Sequence, residues 1–243
     1  MTIRIYQAQP FKENTNITLD EAASHHLARV LRVSVGEEIR LFNGKGGEFS
    51  AIIQQINKKN VQIEIKKHID REVESSLDIW LAQGISRGEK MDLTIQKAVE
   101  LGVKKIIPLF SERCNVKLDQ DRSLKRLEHW RSIVMSACEQ SGRNRLPELE
   151  MPQALDRWLP TVQADFRLIL SPYAENTLKK LAVSSTARVV VLIGPEGGLS
   201  DLEISQAVGQ GFLPLNLGPR VLRTETAGLA VIAALQGFYG DMG

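Results

Sequence analysis

The chain has 243 residues, 31 of them basic and 29 acidic, for a formal charge of +2. That length allows one large domain or two modest ones with a real core, and so even a balance neither demands nor excludes a nucleic-acid partner. Two distant cysteines, Cys114 and Cys138, and four histidines give no metal-ligand spacing, so neither a disulfide framework nor a metal site is expected. The start, Met1-Thr2-Ile3-Arg4-Ile5-Tyr6, has no signal-peptide core, and no apolar run reaches membrane-spanning length. The expectation is a reduced, cytoplasmic home without membrane or metal. Basic residues outnumber acidic ones between Arg87 and Arg145, and the chain after Leu146 is slightly acidic. A local basic face suits a polyanion, although surfaces are often basic for no other reason than solubility.

The first seventy residues predict a small β-rich module with one helix. Residues 19–32 have helical spacing, with Leu19, Ala22, Ala23, Leu27, Val30 and Leu31 on one face and Asp20 and Glu21 at the start. Strands are predicted over 39–42, 49–56 and 61–65, separated by the glycine-rich turn 43–47 and by Asn57-Lys58-Lys59-Asn60. The alternation Val61-Gln62-Ile63-Glu64-Ile65 marks a half-exposed strand of a small sheet or barrel. His26, Arg29 and Arg32 fall on neighbouring parts of the helix surface, with Arg4 and Lys45 as candidates to join them. They read either as a solvated face or as a phosphate-contacting patch.

Residues 68–76 are polar and unpatterned and read as a linker. The rhythm then changes to alternating strands and helices, the pattern of a parallel sheet covered by helices. Strands are expected over 77–82, 105–110 and 166–170, and helices over 90–101, 123–140 and 154–159, with Gly102 as a carboxyl-terminal cap. The loops Gly84 to Lys90, Ser111 to Lys117 and Ser141 to Arg145 each set arginine or lysine beside glycine or serine. Gathered at one end of a sheet, Arg87, Lys90, Arg113 and Arg143 would suit an anionic substrate.

The last fifty residues hold two glycine-rich turns, each after a short apolar strand. The first is Val189-Val190-Val191-Leu192-Ile193 followed by Gly194-Pro195-Glu196-Gly197-Gly198-Leu199, after which Ser200 and Glu203 fit a capping box that opens a helix. The second is a strand over 213–217, then Gly218-Pro219-Arg220-Val221-Leu222-Arg223-Thr224-Glu225-Thr226-Ala227. A helix over 225–238, apolar nearly all round and so expected to be buried, follows. Glycine at a strand's carboxyl end lets the backbone approach a ligand, and ligands of open α/β sheets sit there. Each turn alone also fits a plain strand-to-helix connection. Neither a Walker loop nor G-x-G-x-x-G occurs, so nucleotide-phosphate cradling is not indicated.

These two motifs together resemble the RsmE family of ribosomal RNA methyltransferases. So do residues 86–91, Glu100-Leu101-Gly102, Ser111-Glu112-Arg113-Cys114, Glu139-Gln140, Gly142-Arg143, and His26 with Arg29-Val30-Leu31-Arg32. The resemblance runs from end to end. It implies an α/β fold of the SPOUT class: a trefoil-knotted C-terminal domain over 73–243, and a small PUA-like β-barrel over 1–72 that helps to bind RNA. It also implies a homodimer that uses S-adenosylmethionine to methylate N3 of one uridine of 16S ribosomal RNA in the small subunit. Carried onto this chain, the cofactor pocket falls to Leu170, Ser171, Ile193, Gly194, Glu196, Gly197, Leu217, Gly218, Val221, Leu222, Thr226 and Ala227. Arg220 or Arg223 would stabilise the uracil anion, with Glu196 or Glu225 as base or as orienter of the arginine. A carboxylate at 225 is equally explained by the helix dipole. RNA contact falls to Arg4, His26, Arg29, Arg32, Lys45, Arg87, Lys90, Arg113 and Arg143. The alternatives are a knotted methyltransferase acting on another RNA or position, and a non-catalytic RNA-binding assembly factor.

Overall fold

A computed structural model of the chain describes residues 2–57, 60–116 and 119–243. Lys58, Lys59 and Lys117, named above in two loops, lie outside the described residues. The chain forms two compact units, Met1–Glu74 with Cys138–Leu146, and Ser75–Ala137 with Pro147–Gly243.

In the first unit, β1 (Arg4–Tyr6), β2 (Thr15–Thr18), β3 (Glu38–Phe42), β4 (Glu48–Ile56) and β5 (Val61–Ile69) form one sheet in the order β1-β3-β4-β5-β2. Among the described residues only β1 and β3 pair in parallel. The ladder leaves β1 and β2 as edges, so the barrel expected here is open along that seam. Alternation along β5 buries Val61, Ile63 and Ile65, which join Ile5, Leu27, Ile39, Leu41 and Ile53 in one core.

The expected long helix is interrupted. Asp20 caps α1 (Glu21–His25) by accepting a 2.8 Å hydrogen bond from the Ala23 N–H. The chain then widens into a π-helical segment, His26–Leu31, that closes on Arg32 at φ +54°. Widening the turn rotates later residues off the core face. Leu27 stays fully buried, whereas Val30 and Leu31 are 60% and 41% exposed, contrary to the pattern reading.

The segment expected to be a linker is ordered by the first unit. Strand β5 runs through Ile69, and the residues after it pair with the segment following α3 (Gln120–Ser141). Arg71 donates to the Gly142 carbonyl (3.0 Å), the Asn144 side-chain amide to the Arg71 carbonyl (2.6 Å), and Arg145 to Glu72 (2.8 Å). Arg143 grips Glu74 with Nε at 2.8 Å and Nη2 at 2.5 Å. Polar residues without periodicity are therefore structural here, because their partners lie some seventy positions away.

In the second unit every ladder is parallel. Its elements are β6 (Asp78–Gly84), α2 (Glu89–Glu100), β7 (Lys105–Phe110), β8 (Glu148–Leu149), β9 (Gln153–Ala154), α4 (Leu155–Trp158), β10 (Phe166–Leu170), β11 (Arg188–Ile193), α5 (Asp201–Gly209), β12 (Leu213–Leu215) and α6 (Thr224–Tyr239). The sheet order is β12-β10-β11-β6-β7-β8, with β9 also on β7. The order of strands reverses between β6 and β11, and such a switch point is where the carboxyl ends of strands open a crevice. One face is filled by Ala82, Ile107, Leu109, Ile169, Val190 and Leu192 against Trp158, Leu159, Ala207 and Phe212. Helix α6 packs on α2, β6 and β11. It buries Gly228, Val231, Ile232 and Leu235 but leaves Phe238 56% exposed, so an all-apolar sequence covers one buried face, not four.

Candidate active site

The carboxyl ends of β12, β10 and β11 and the start of α6 enclose a cleft of about 590 Å³, a volume within the roughly 300–1,000 Å³ usual for small-molecule sites. Of the twelve residues expected to hold a cofactor, all but Thr226 line it. Thr226 points to solvent from the first turn of α6. Leu170, Ile193, Leu217 and Leu222 give apolar walls, Ser171 and Gly194 offer polar and backbone groups, and Gly197, Gly218, Val221 and Ala227 complete the lining.

The loop after β11 has little freedom. A Cβ on Gly194 would stand 2.9 Å from the Leu199 nitrogen, so this position closes the turn and only glycine fits. Arg113 donates to the carbonyls of Gly197 (3.4 Å) and Leu199 (3.3 Å). Ser200 then caps α5 in the expected capping box, its hydroxyl accepting from the Glu203 N–H at 3.3 Å while the Glu203 carboxylate accepts from the Ser200 N–H at 2.8 Å.

All four residues expected to do chemistry, Glu196, Arg220, Arg223 and Glu225, line the same cleft. Arg220 and Arg223 are exposed and make no salt bridge among the described residues. Burial raises the Glu196 carboxyl, but the Arg87 N–H at 3.1 Å and the Lys90 ammonium at 3.6 Å outweigh it and hold the group below the usual carboxylate range. Glu225 differs. Among the described residues its buried Oε2 has no hydrogen-bond partner, which leaves it able to accept a hydrogen bond from a ligand.

The residues expected to contact RNA are divided between the two units. Lys90 and Arg113 line the cleft, and Arg87 is exposed beside Glu196. In the first unit Arg29, Arg32 and Lys45 are exposed and His26 is half-buried. Arg4 and Arg143 are committed inward. Arg4 pairs with Glu48 and donates to the Asn144 side chain (2.6 Å), while Arg143 is 4% exposed against Glu74. Beside them the Glu139 carboxyl accepts from the Tyr6 N–H (3.0 Å), and burial pushes it above the usual range.

Sequence reading passed over Tyr173, 92% exposed at the rim, and Asn216, whose side-chain amide donates to the Pro172 carbonyl at 2.8 Å. It also passed over Thr224, although that residue sits inside the quoted motif. No periodicity marks such residues. Their positions are the signal: Tyr173 and Asn216 lie within three residues of a strand end, and Thr224 opens α6.

Comparison with known proteins agrees with this layout. Residues 73–236 match the family model described as an RNA methyltransferase domain, and residues 19–66 match an RNA methyltransferase PUA domain. The ribosomal RNA small subunit methyltransferase E of Buchnera aphidicola subsp. Schizaphis graminum is 41% identical over 98% of this chain and 97% of its own. A Legionella pneumophila protein solved with bound SAM superimposes with a TM-score of 0.97 at 44% identity, covering 99% of both chains. The ribosomal RNA small subunit methyltransferase E of Neisseria gonorrhoeae, solved with S-adenosyl methionine, gives 0.93 at 39% identity over the whole of both chains. The second unit thus has a SPOUT-like core and the first is PUA-like, and the chain belongs to the RsmE family of ribosomal RNA small subunit methyltransferases.

Proposed function

We propose that this chain is an S-adenosylmethionine-dependent methyltransferase that modifies N3 of a uridine in 16S ribosomal RNA. The observation that carries the reading is the cleft at the ends of β10, β11 and β12, lined by glycine backbone, apolar side chains, Arg220, Arg223 and a Glu225 oxygen that has no partner among the described residues. The cofactor supplies an electrophilic methyl group: the N3–CH3 bond forms as the S–CH3 bond breaks, and the N3 proton must leave to a base. Holding the reactants in line supplies much of the rate.

The chain's own groups divide the remaining work. Losing its N3 proton leaves the uracil with negative charge on its carbonyl oxygens, and Arg220 and Arg223 are free to meet it. Glu225 has an oxygen to accept that proton or a hydrogen bond from the ligand. Glu196 is already engaged by Arg87 and Lys90, so it orients these basic groups and is the weaker base. Residues 1–72 serve RNA binding through His26, Arg29, Arg32 and Lys45, and residues 73–243 serve methyl transfer. Arg87, Lys90 and Arg113 carry RNA near the cleft. Arg4 and Arg143 hold the first unit together instead.

We further propose a trefoil knot and a homodimer working in the cytoplasm. The knot is supported by β12 lying at the sheet edge while α6, immediately after it, returns to β6 and β11 at the centre.

Calorimetry with S-adenosylmethionine, followed by mapping of the methylated position on 16S RNA, tests the reading. Binding by the parent, with Glu225→Gln lowering kcat by about 10²–10³ at unchanged cofactor affinity, is expected for a general base. A folded parent that does not bind the cofactor would return the chain to an RNA-binding assembly role, and methyl transfer to a ribose would reassign the target.

A further inference from the structure

Thr224 is the first residue of α6, 8% exposed, between Arg223 and Glu225. Its hydroxyl donates to the Gly194 carbonyl at 2.6 Å and accepts from the side-chain amide of Gln83 at 2.8 Å. Gln83 is fully buried at the end of β6, and its amide nitrogen also donates to the Gly84 carbonyl at 3.0 Å. The direction of this relay is fixed by chemistry. A hydroxyl carries one proton. Were the Gln83 amide turned so that its oxygen faced Thr224, that proton would be drawn to Gln83 and the Gly194 carbonyl would lose its donor.

The relay joins three pieces of chain that meet at the cleft. Gly194 is pinned by its own turn, where a side chain would strike Leu199, and a Cβ on Gly84 would lie 2.5 Å from the Pro195 nitrogen. On the other side Gly228 lets α6 approach, since a Cβ there would stand 3.3 Å from the Gln83 amide oxygen. Thr224 is therefore the hydrogen-bonded joint between the β11 loop and α6. Its two neighbours in sequence, Arg223 and Glu225, project into the cleft from that joint.

We infer that Thr224, oriented by Gln83, is a positioning residue: it sets the spacing between the Gly194 peptide that binds S-adenosylmethionine and the Arg223 and Glu225 side chains that act on the target base. This rests on the functional reading above. The motif residue thus acts through its neighbours from the wall of the cleft.

Thr224→Val keeps the shape and removes both hydrogen bonds, while Thr224→Ser keeps them. In the full-length chain, Thr224→Val is expected to weaken S-adenosylmethionine binding about tenfold as the joint loses its two hydrogen bonds, and to lower kcat as well as raise KM. Thr224→Ser is expected to restore both. A merely structural role would lower the melting temperature in Thr224→Val and leave affinity and kcat of the folded fraction at parental values, which would overturn the inference. Should Thr224→Val not fold, Gln83→Met breaks the same relay from its other end, and parental affinity there overturns the inference equally. A folded parent that binds no S-adenosylmethionine would remove the functional reading and the inference with it, whereas a binding parent with an unaffected valine variant removes the inference alone.

Discussion

Glu196 and Glu225 lie in one cleft, yet their surroundings differ. Glu196 is lowered despite its partial burial, because an N–H and an ammonium favour its charged form. A depressed carboxyl contributes stability above its unfolded pKa and loses it as pH falls through the folded value. Glu196→Gln is accordingly expected to cost up to about 1 kcal/mol in urea unfolding at pH 7, as for other solvent-accessible pairs. Parent and variant should converge below the ordinary carboxylate range, and a difference that persists at acid pH would mean that shape, not charge, is lost. None of this was readable from spacing. The motif put both carboxylates beside glycines, but which one has partners depends on Arg87 and Lys90, whose loop follows β6.

At the scale of the element, sequence patterns were most legible where local rules act alone. Ser200 with Glu203 predicts a capping box, and both of its hydrogen bonds are present. Ser200→Ala should cost about 1 kcal/mol, and an unchanged urea midpoint would mean that water caps α5 as well as the hydroxyl does. Strands β7 and β10 fall on their expected residues, since short, mostly apolar runs ending in serine turns leave little choice. Legibility failed at α1, where helical periodicity continues through residues that the backbone widens into a π-helical segment. Periodicity reports which residues are apolar. It does not report an inserted residue, which only packing against the sheet reveals. The short edge strands β1 and β2 were missed for a related reason: three or four residues are too few to display a period.

On the scale of the whole molecule, contacts distant in sequence decide the roles of charged residues. Arg143 and Glu74 are 5% and 10% exposed at their side chains and bind each other with two hydrogen bonds. Removing one member of a buried pair strands the other, so Arg143→Met should destabilise the protein by about 3–5 kcal/mol. RNA affinity of the folded variant should stay close to parental. A stable variant with weakened RNA binding would show instead that Arg143 meets RNA directly.

The sequence by itself determined the alternation of strands and helices after residue 76, the β-rich character before it, and the two glycine turns that carry the family likeness. These rest on local rules, in which hydrophobic period, caps and backbone freedom act within a few residues. Only the tertiary structure decided that Arg4 and Arg143 face inward, that Lys90 and Arg113 share the cleft with the C-terminal turns, and that Thr224 ties α6 to Gly194 through Gln83. A charged or hydroxyl side chain has no intrinsic destination. Its role depends on which partner lies within hydrogen-bond reach, and in this chain those partners lie 30 to 141 positions away.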